Sequence, residues 1–141
     1  MTAYGPIGKL RSALFDRLNV SAVTDLLSGQ SADSIYWLTP GDSPGKPYIV
    51  YELHSGGDEN RSSTRTRNVV LAVKAVADTA GAAEQIDEQI DARLHDQTLT
   101  ISGWDTVTMA REDDLATTED NGGGGANYVI GGYYRIRVSK T

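Results

Sequence analysis

The segment from Asn68 to Ala77 restricts the fold more than any other part of this chain. Val69, Leu71, Val73, Ala75 and Ala77 alternate with Val70, Ala72, Lys74 and Val76. Alternation of this kind is a β-strand pattern, because successive side chains point to opposite faces. Here both faces are mostly apolar, so the strand belongs in the middle of a sheet that is covered on both sides. One cover is expected from the chain itself, and the other from a partner subunit.

A second strand precedes it. Lys46-Pro47-Tyr48-Ile49-Val50-Tyr51-Glu52-Leu53 opens on a proline and is β-branched and aromatic. Tyr48, Val50 and Glu52 face one side, and Ile49, Tyr51 and Leu53 the other. Between the two strands lies a polar stretch, His54 to Thr66, that carries Arg61 and Arg65, with Arg67 at its exit. It reads as an overlong, charged hairpin loop that reaches toward something else.

Helices flank this pair. Ile7, Leu10, Leu14 and Leu18 recur at steps of three and four, one face of an amphipathic helix. Ser21 to Gly29 forms a short second turn, with Ser21 as its cap. Asp78 or Thr79 caps a longer helix ending near His95, with Ala83, Ile86, Ile90 and Leu94 as its apolar stripe. Acidic residues lie early in it and Arg93 and His95 late, matching the helix dipole. Ile35 to Leu38 and Thr98 to Ile101 read as short strands, and Trp104 to Arg111 as a longer one. Asn127 to Val138 closes the chain with Tyr128, Ile130, Tyr134, Ile136 and Val138 on one face. Glu112 to Ala126, acidic and then Gly-rich, reads as a solvated loop too polar to pack. The expected architecture is a single α+β domain over 1–141. It has a largely antiparallel sheet, two main helices packed on one face, and a long hairpin loop.

Composition narrows the function. The chain has 141 residues, 39% hydrophobic and 23% charged, as in a folded domain. The net charge of -6 does not suit a protein built to embrace nucleic acid. With no cysteine, disulfides, thiolate metal sites and a cysteine nucleophile are excluded. No run approaches the roughly 18 apolar residues of a membrane span, and no signal peptide is evident. A soluble intracellular product without a membrane role is expected.

Candidate chemistry is sparse. Gly41-Asp42-Ser43-Pro44-Gly45-Lys46-Pro47 superficially resembles a phosphate-binding loop, but its glycines are one residue too close. Pro47 also stands where a hydroxyl must meet Mg²⁺. His54 and His95 lack the spacing of a metal pair, and the acidic run lacks EF-hand spacing, so no metal and no cofactor are expected. No nucleophile–base pair is present to support a small hydrolase, and the expectation is a non-enzyme. What remains is an assembly surface. Arg61, Arg65 and Arg67 suit bidentate pairing with carboxylates, and the acidic run 112–120 on the next copy, with Glu112, Asp113 and Asp114 at its start, is a natural mate. Such a contact joins two different surfaces of one protein and closes into a ring when the rotation allows. Tyr133 and Tyr134 beside Gly131-Gly132 read as a strand entry near an interface.

The order of elements carries a resemblance. A helix with Leu10, Leu14 and Leu18 is followed by the turn Val23-x-x-Leu26-Leu27-Ser28-Gly29, then by Ile35-Tyr36 and a Pro/Gly connector. Next come the Pro-Tyr-Ile-Val-Tyr strand entry, the strand 68–77, and a helix with Ile86, Ile90 and Leu94. From about Gly8 to Val138 the chain resembles the tail terminator, or tail completion, proteins of long-tailed bacteriophages and gene transfer agents. The resemblance implies a ring-forming virion protein with no catalytic residues. It would be a homo-hexamer that caps the tail tube, ends tail polymerisation and joins the tail to the head connector or stopper protein. It would sit in the virion tail or neck after assembly in the host cytoplasm, with genomic DNA passing through without specific binding. The alternative is a head-closure, connector or minor tail-tube protein of the same virion. The segment 112–126 departs from the family pattern.

Overall fold

The computed structural model describes residues 7–42, 44–59, 66–120, 122–123 and 125–140. The chain begins with α1 (Ile7–Leu18) and α2 (Ser21–Thr24), two 3₁₀ turns, and the short strand β1 (Ile35–Trp37). Then come β2 (Tyr48–Glu59), β3 (Thr66–Ala77), α3 (Ala80–Leu94), β4 (Trp104–Asp120) and β5 (Ala126–Lys140). The strands form one five-stranded sheet in the order β1-β2-β3-β5-β4. β1 runs parallel to β2, and every other neighbouring pair is antiparallel. The α+β class holds, with a mixed, curled sheet and three helices.

β3 takes the central place that its two-faced pattern requires. Its Val69, Leu71, Val73, Ala75 and Ala77 share a core cluster with Ile49 and Tyr51 of β2, and with Tyr134, Ile136 and Val138 of β5. Leu10, Leu14 and Leu18 of α1 and Ile86, Ile90 and Leu94 of α3 belong to the same cluster. These helical residues are the periodic ones, so spacing alone named the stripes that become dry. Thr79 caps α3 by accepting from the Ala82 amide at 3.2 Å. At the other end, Arg17 of α1 donates from Nε and Nη2 to the Arg93 carbonyl, at 3.1 and 2.9 Å. A cation thus meets a carbonyl at the negative end of α3 and ties the two helices together.

The opposite face carries no helical residue in its core cluster. That smaller cluster consists of Tyr48, Val50, Val76 and Val129, with Tyr36 and Leu115 packed against it. Val70 and Ala72 on this face are already buried within one copy. The apolar second face of β3 therefore needs no partner subunit to keep it dry.

Two expected loops are strands. Residues 54–59 continue β2, pairing as far as Glu59 with Thr66, so the loop expected over 54–66 is shorter than its composition implied. Residues 112–120, expected as a solvated loop, complete the 17-residue β4 and pair with β5 as far as Asp120 with Ala126. Polarity did not prevent pairing, because β4 is an edge strand. Its backbone is satisfied by β5 on one side and its charged side chains stay in water, as edge strands tolerate. Conversely, Thr98 to Ile101 forms no strand and makes only an isolated bridge from Ile101 to Trp104. Gly103, at a φ of 82°, supplies the left-handed residue that this tight turn needs.

Register explains one glycine. At Gly131 a Cβ would run into the backbone of Val73 and Lys74 on β3, whereas at Gly8 in α1 it would meet open space. Gly131→Ala is expected to destabilise the fold by about 2 kcal/mol or more through overpacking. Gly8→Ala should be neutral or stabilising by up to about 1 kcal/mol. Urea denaturation of the two variants checks the contrast.

Candidate assembly surface

The residues singled out in the sequence fall in three places. Arg67 lies at the start of β3, in register with Asp58 and Val138 at one end of the sheet. Arg61 and Arg65 lie outside the described residues. Glu112, Asp113 and Asp114 sit midway along β4, opposite Tyr133 and Gly132 of β5. The end of β4 at Asp120 lies at the far end of the sheet, where β5 begins. Arg67 and the acidic residues of β4 therefore occupy different levels of one sheet.

Neighbours on β4 point to different faces. Asp114 accepts from Arg111 Nε at 2.8 Å on the helix side. Glu112 accepts from Arg135 Nε with both oxygens, at 3.1 and 3.2 Å. Asp113 is exposed and has no ion pair among the described residues. The two tyrosines also part company. Tyr133 is half-buried, and its ring lies 4.8 Å from that of His54 on the helix-free face. Tyr134 is fully buried in the main core. It serves the interior, so its expected role at an interface is corrected.

The residue that organises this region is Arg111, which sequence reading passed over as the end of a strand. Its guanidinium crosses β5 and reaches α3. Nη1 and Nη2 donate to the two carboxylate oxygens of Asp87, at 2.9 and 3.0 Å. Nη2 also donates to the Gly131 carbonyl at 2.7 Å, Nη1 to the Tyr134 hydroxyl at 3.3 Å, and Nε to Asp114. A guanidinium has five N–H donors, and all five are used. The Tyr134 hydroxyl donates onward to Asp91 at 2.9 Å. Gly132 leaves the channel for this side chain, since a Cβ there would strike the guanidinium. The glycine pair opposite a lone arginine in an acidic run was the one available signal.

Electrostatics agree with the geometry. Burial alone draws the Arg111 pKa down, but the hydrogen bonds it donates to Asp87 and Tyr134 outweigh it and hold the pKa above its ordinary value. Burial, reinforced by Asp91 and opposed by Arg111, pushes the Tyr134 phenol above its usual range. Among the described residues no group of three or more His, Asp or Glu is placed to hold a metal, and no helix is long and apolar enough to cross a membrane.

Two outcomes follow from this network. Arg111→Ala strands Asp87, whose side chain is only 14% exposed, and is expected to cost about 3 kcal/mol in urea denaturation. The same variant should speed amide exchange along β4. The second outcome concerns alkali. A raised phenol pKa means that folding favours the neutral form. The resulting stability is full below the ordinary tyrosine value of about 10 and is lost as pH climbs above it. Tyr134→Phe should therefore remove the latest-titrating phenolate absorbance and flatten the alkaline loss of stability.

Comparison with known proteins gives this surface a context. A chain of known structure described as "Virion of native gene transfer agent (GTA) particle" superposes with a TM-score of 0.77 at 17% identity, covering 97% of this chain and 99% of its own. A second solved chain superposes with a TM-score of 0.63, also at 17% identity, covering 99% of this chain and 98% of its own. At such identity these likenesses speak for the fold alone. No curated protein sequence matches. The family model for the tail completion protein gp17 matches residues 12–138, nearly the whole chain. This chain therefore belongs to the tail completion protein gp17 family, and it is a structural protein of the virion and not an enzyme.

Proposed function

We propose that the protein forms a hexameric ring that caps the tail tube, ends tail polymerisation and joins the tail to the head connector. Family membership supports the tail role. The observation that favours association of copies is the separation of the basic and acidic segments. The β2–β3 ladder runs to Glu59 and Thr66, and Ala72, in register with Tyr133 and Asp113, lies six residues further along β3. At about 3.3 Å per residue that is roughly 20 Å, beyond the reach of an arginine side chain. In this reading Arg61 and Arg65 pair with carboxylates of another copy. A contact between unlike surfaces is heterologous and is satisfied when a ring closes.

In this reading the tail tube protein and the connector or stopper protein meet the two rims of the ring, and genomic DNA passes through the middle. A net charge of -6 on each copy suits passage without adhesion. The protein takes its place in the tail or neck of the particle during assembly in the host cytoplasm.

Light scattering and negative-stain images of the purified chain are expected to give six-fold rings. Deleting residues 57–65 should leave a folded chain, by circular dichroism, that forms no rings and joins no heads to tails. Normal particle yield from that deletion would refute the proposed contact. Growth of the intact chain into long tubes would point to a tail-tube protein instead.

A further inference from the structure

Two β-bulges sit at nearly the same level of the sheet. One interrupts β2 between Leu53 and Ser55, opposite Leu71 and Val70. The other interrupts β4 between Arg111 and Asp113, opposite Tyr134 and Tyr133. A bulge places two residues against one and breaks the alternation of faces. Here each bulge turns two consecutive side chains toward the helix-free face, His54 with Ser55 and Glu112 with Asp113. Together with Tyr133 and Arg135 they line a cleft of ≈ 460 Å³. Its floor is the buried Val70.

The chemistry of this cleft is specific. It holds two carboxylates and one guanidinium. Glu112 uses both oxygens on Arg135, so Asp113 remains as the unmatched charge. Beside it, the rings of His54 and Tyr133 lie 4.8 Å apart at a 55° tilt and provide an aromatic wall. A carboxylate next to an aromatic face suits a planar, weakly hydrated guanidinium better than a compact, strongly hydrated ammonium.

We propose that this cleft receives an arginine side chain from the β2–β3 connection of a second copy, supplied by Arg61 or Arg65. The choice of partner rests on the ring reading above, and the chemistry of the cleft does not. Between Arg61 and Arg67 the chain carries three arginines and no acid. That gives this stretch a charge of +3 in a chain of net charge -6. Its charge complements that of the cleft, and in this proposal the match is met between copies.

The test uses the full chain and a synthetic peptide of residues 60–67. NMR titration should show saturable binding, with shifts at His54 and Tyr133. Asp113→Asn, and separately Tyr133→Leu, should weaken it roughly tenfold. A peptide with lysine at positions 61 and 65 should weaken it similarly, whereas Asp105→Asn, elsewhere on β4, should leave it unchanged. Unperturbed spectra away from the cleft verify that each variant is folded. Equal binding by Asp113→Asn, equal binding of the lysine peptide, or no saturable binding overturns the proposal. Ring formation is scored separately by light scattering. Rings that form and ignore Asp113→Asn refute the cleft and spare the ring. A monomeric chain whose cleft binds the peptide through Asp113 refutes the ring and spares the cleft.

Discussion

The guanidinium of Arg111 is the contact on which the second half of this molecule depends. β4 is an edge strand with a ladder on one side only, and most of its distal half carries charged or polar side chains. Backbone pairing with β5 holds it in the plane of the sheet. Trp104 and Met109 join it to the core under the helices, and farther along one side chain spends all five donors on Asp87, Tyr134, Gly131 and Asp114. A bidentate, part-buried pair of this kind does little for stability compared with an apolar replacement, yet breaking it is costly, because an unpaired carboxylate remains. Gly132 in β5 and the buried hydroxyl of Tyr134 make sense as the surroundings that this crossing requires.

The two faces of the sheet have different tasks. The helix side is dry, built from the alternating residues of β2, β3 and β5 under α1 and α3. The helix-free side mixes a small apolar cluster with ion pairs, Lys74 with Glu52 and Arg135 with Glu112. In the assembly proposed above, each copy folds and still presents a surface to neighbours. Placing stability on one face and paired charges on the other meets both demands. The bulges mark where regular pairing gives way to a shaped cleft. Since bulges re-aim side chains at the expense of ladder bonds, two of them at one level mark a built feature.

Much of the fold was legible because hydrophobic periodicity reports burial directly. The alternation in 68–77 placed β3 at the centre. The three-and-four spacing in α1 and α3 named their buried faces, and alternation puts Tyr134, Ile136 and Val138 on one side of β5. The failures share a cause. Glu112 to Asp120 carries no apolar alternation, since an exposed edge strand has no buried face to print on the sequence. What makes it a strand is β5 beside it. Tyr133 and Tyr134 looked equivalent, and only register put one in the core and the other over His54.

By itself, then, the sequence determined which residues had to be dry, and through them the class of fold and the middle of the sheet. Tertiary structure alone decided the length of β4, the partnership of Arg111 with Asp87 across 24 residues, and the alignment of the bulges at His54 and Glu112. Burial is a property that each residue type carries along the chain. Strand order and register are relations between distant segments, and they exist only once the chain has closed on itself.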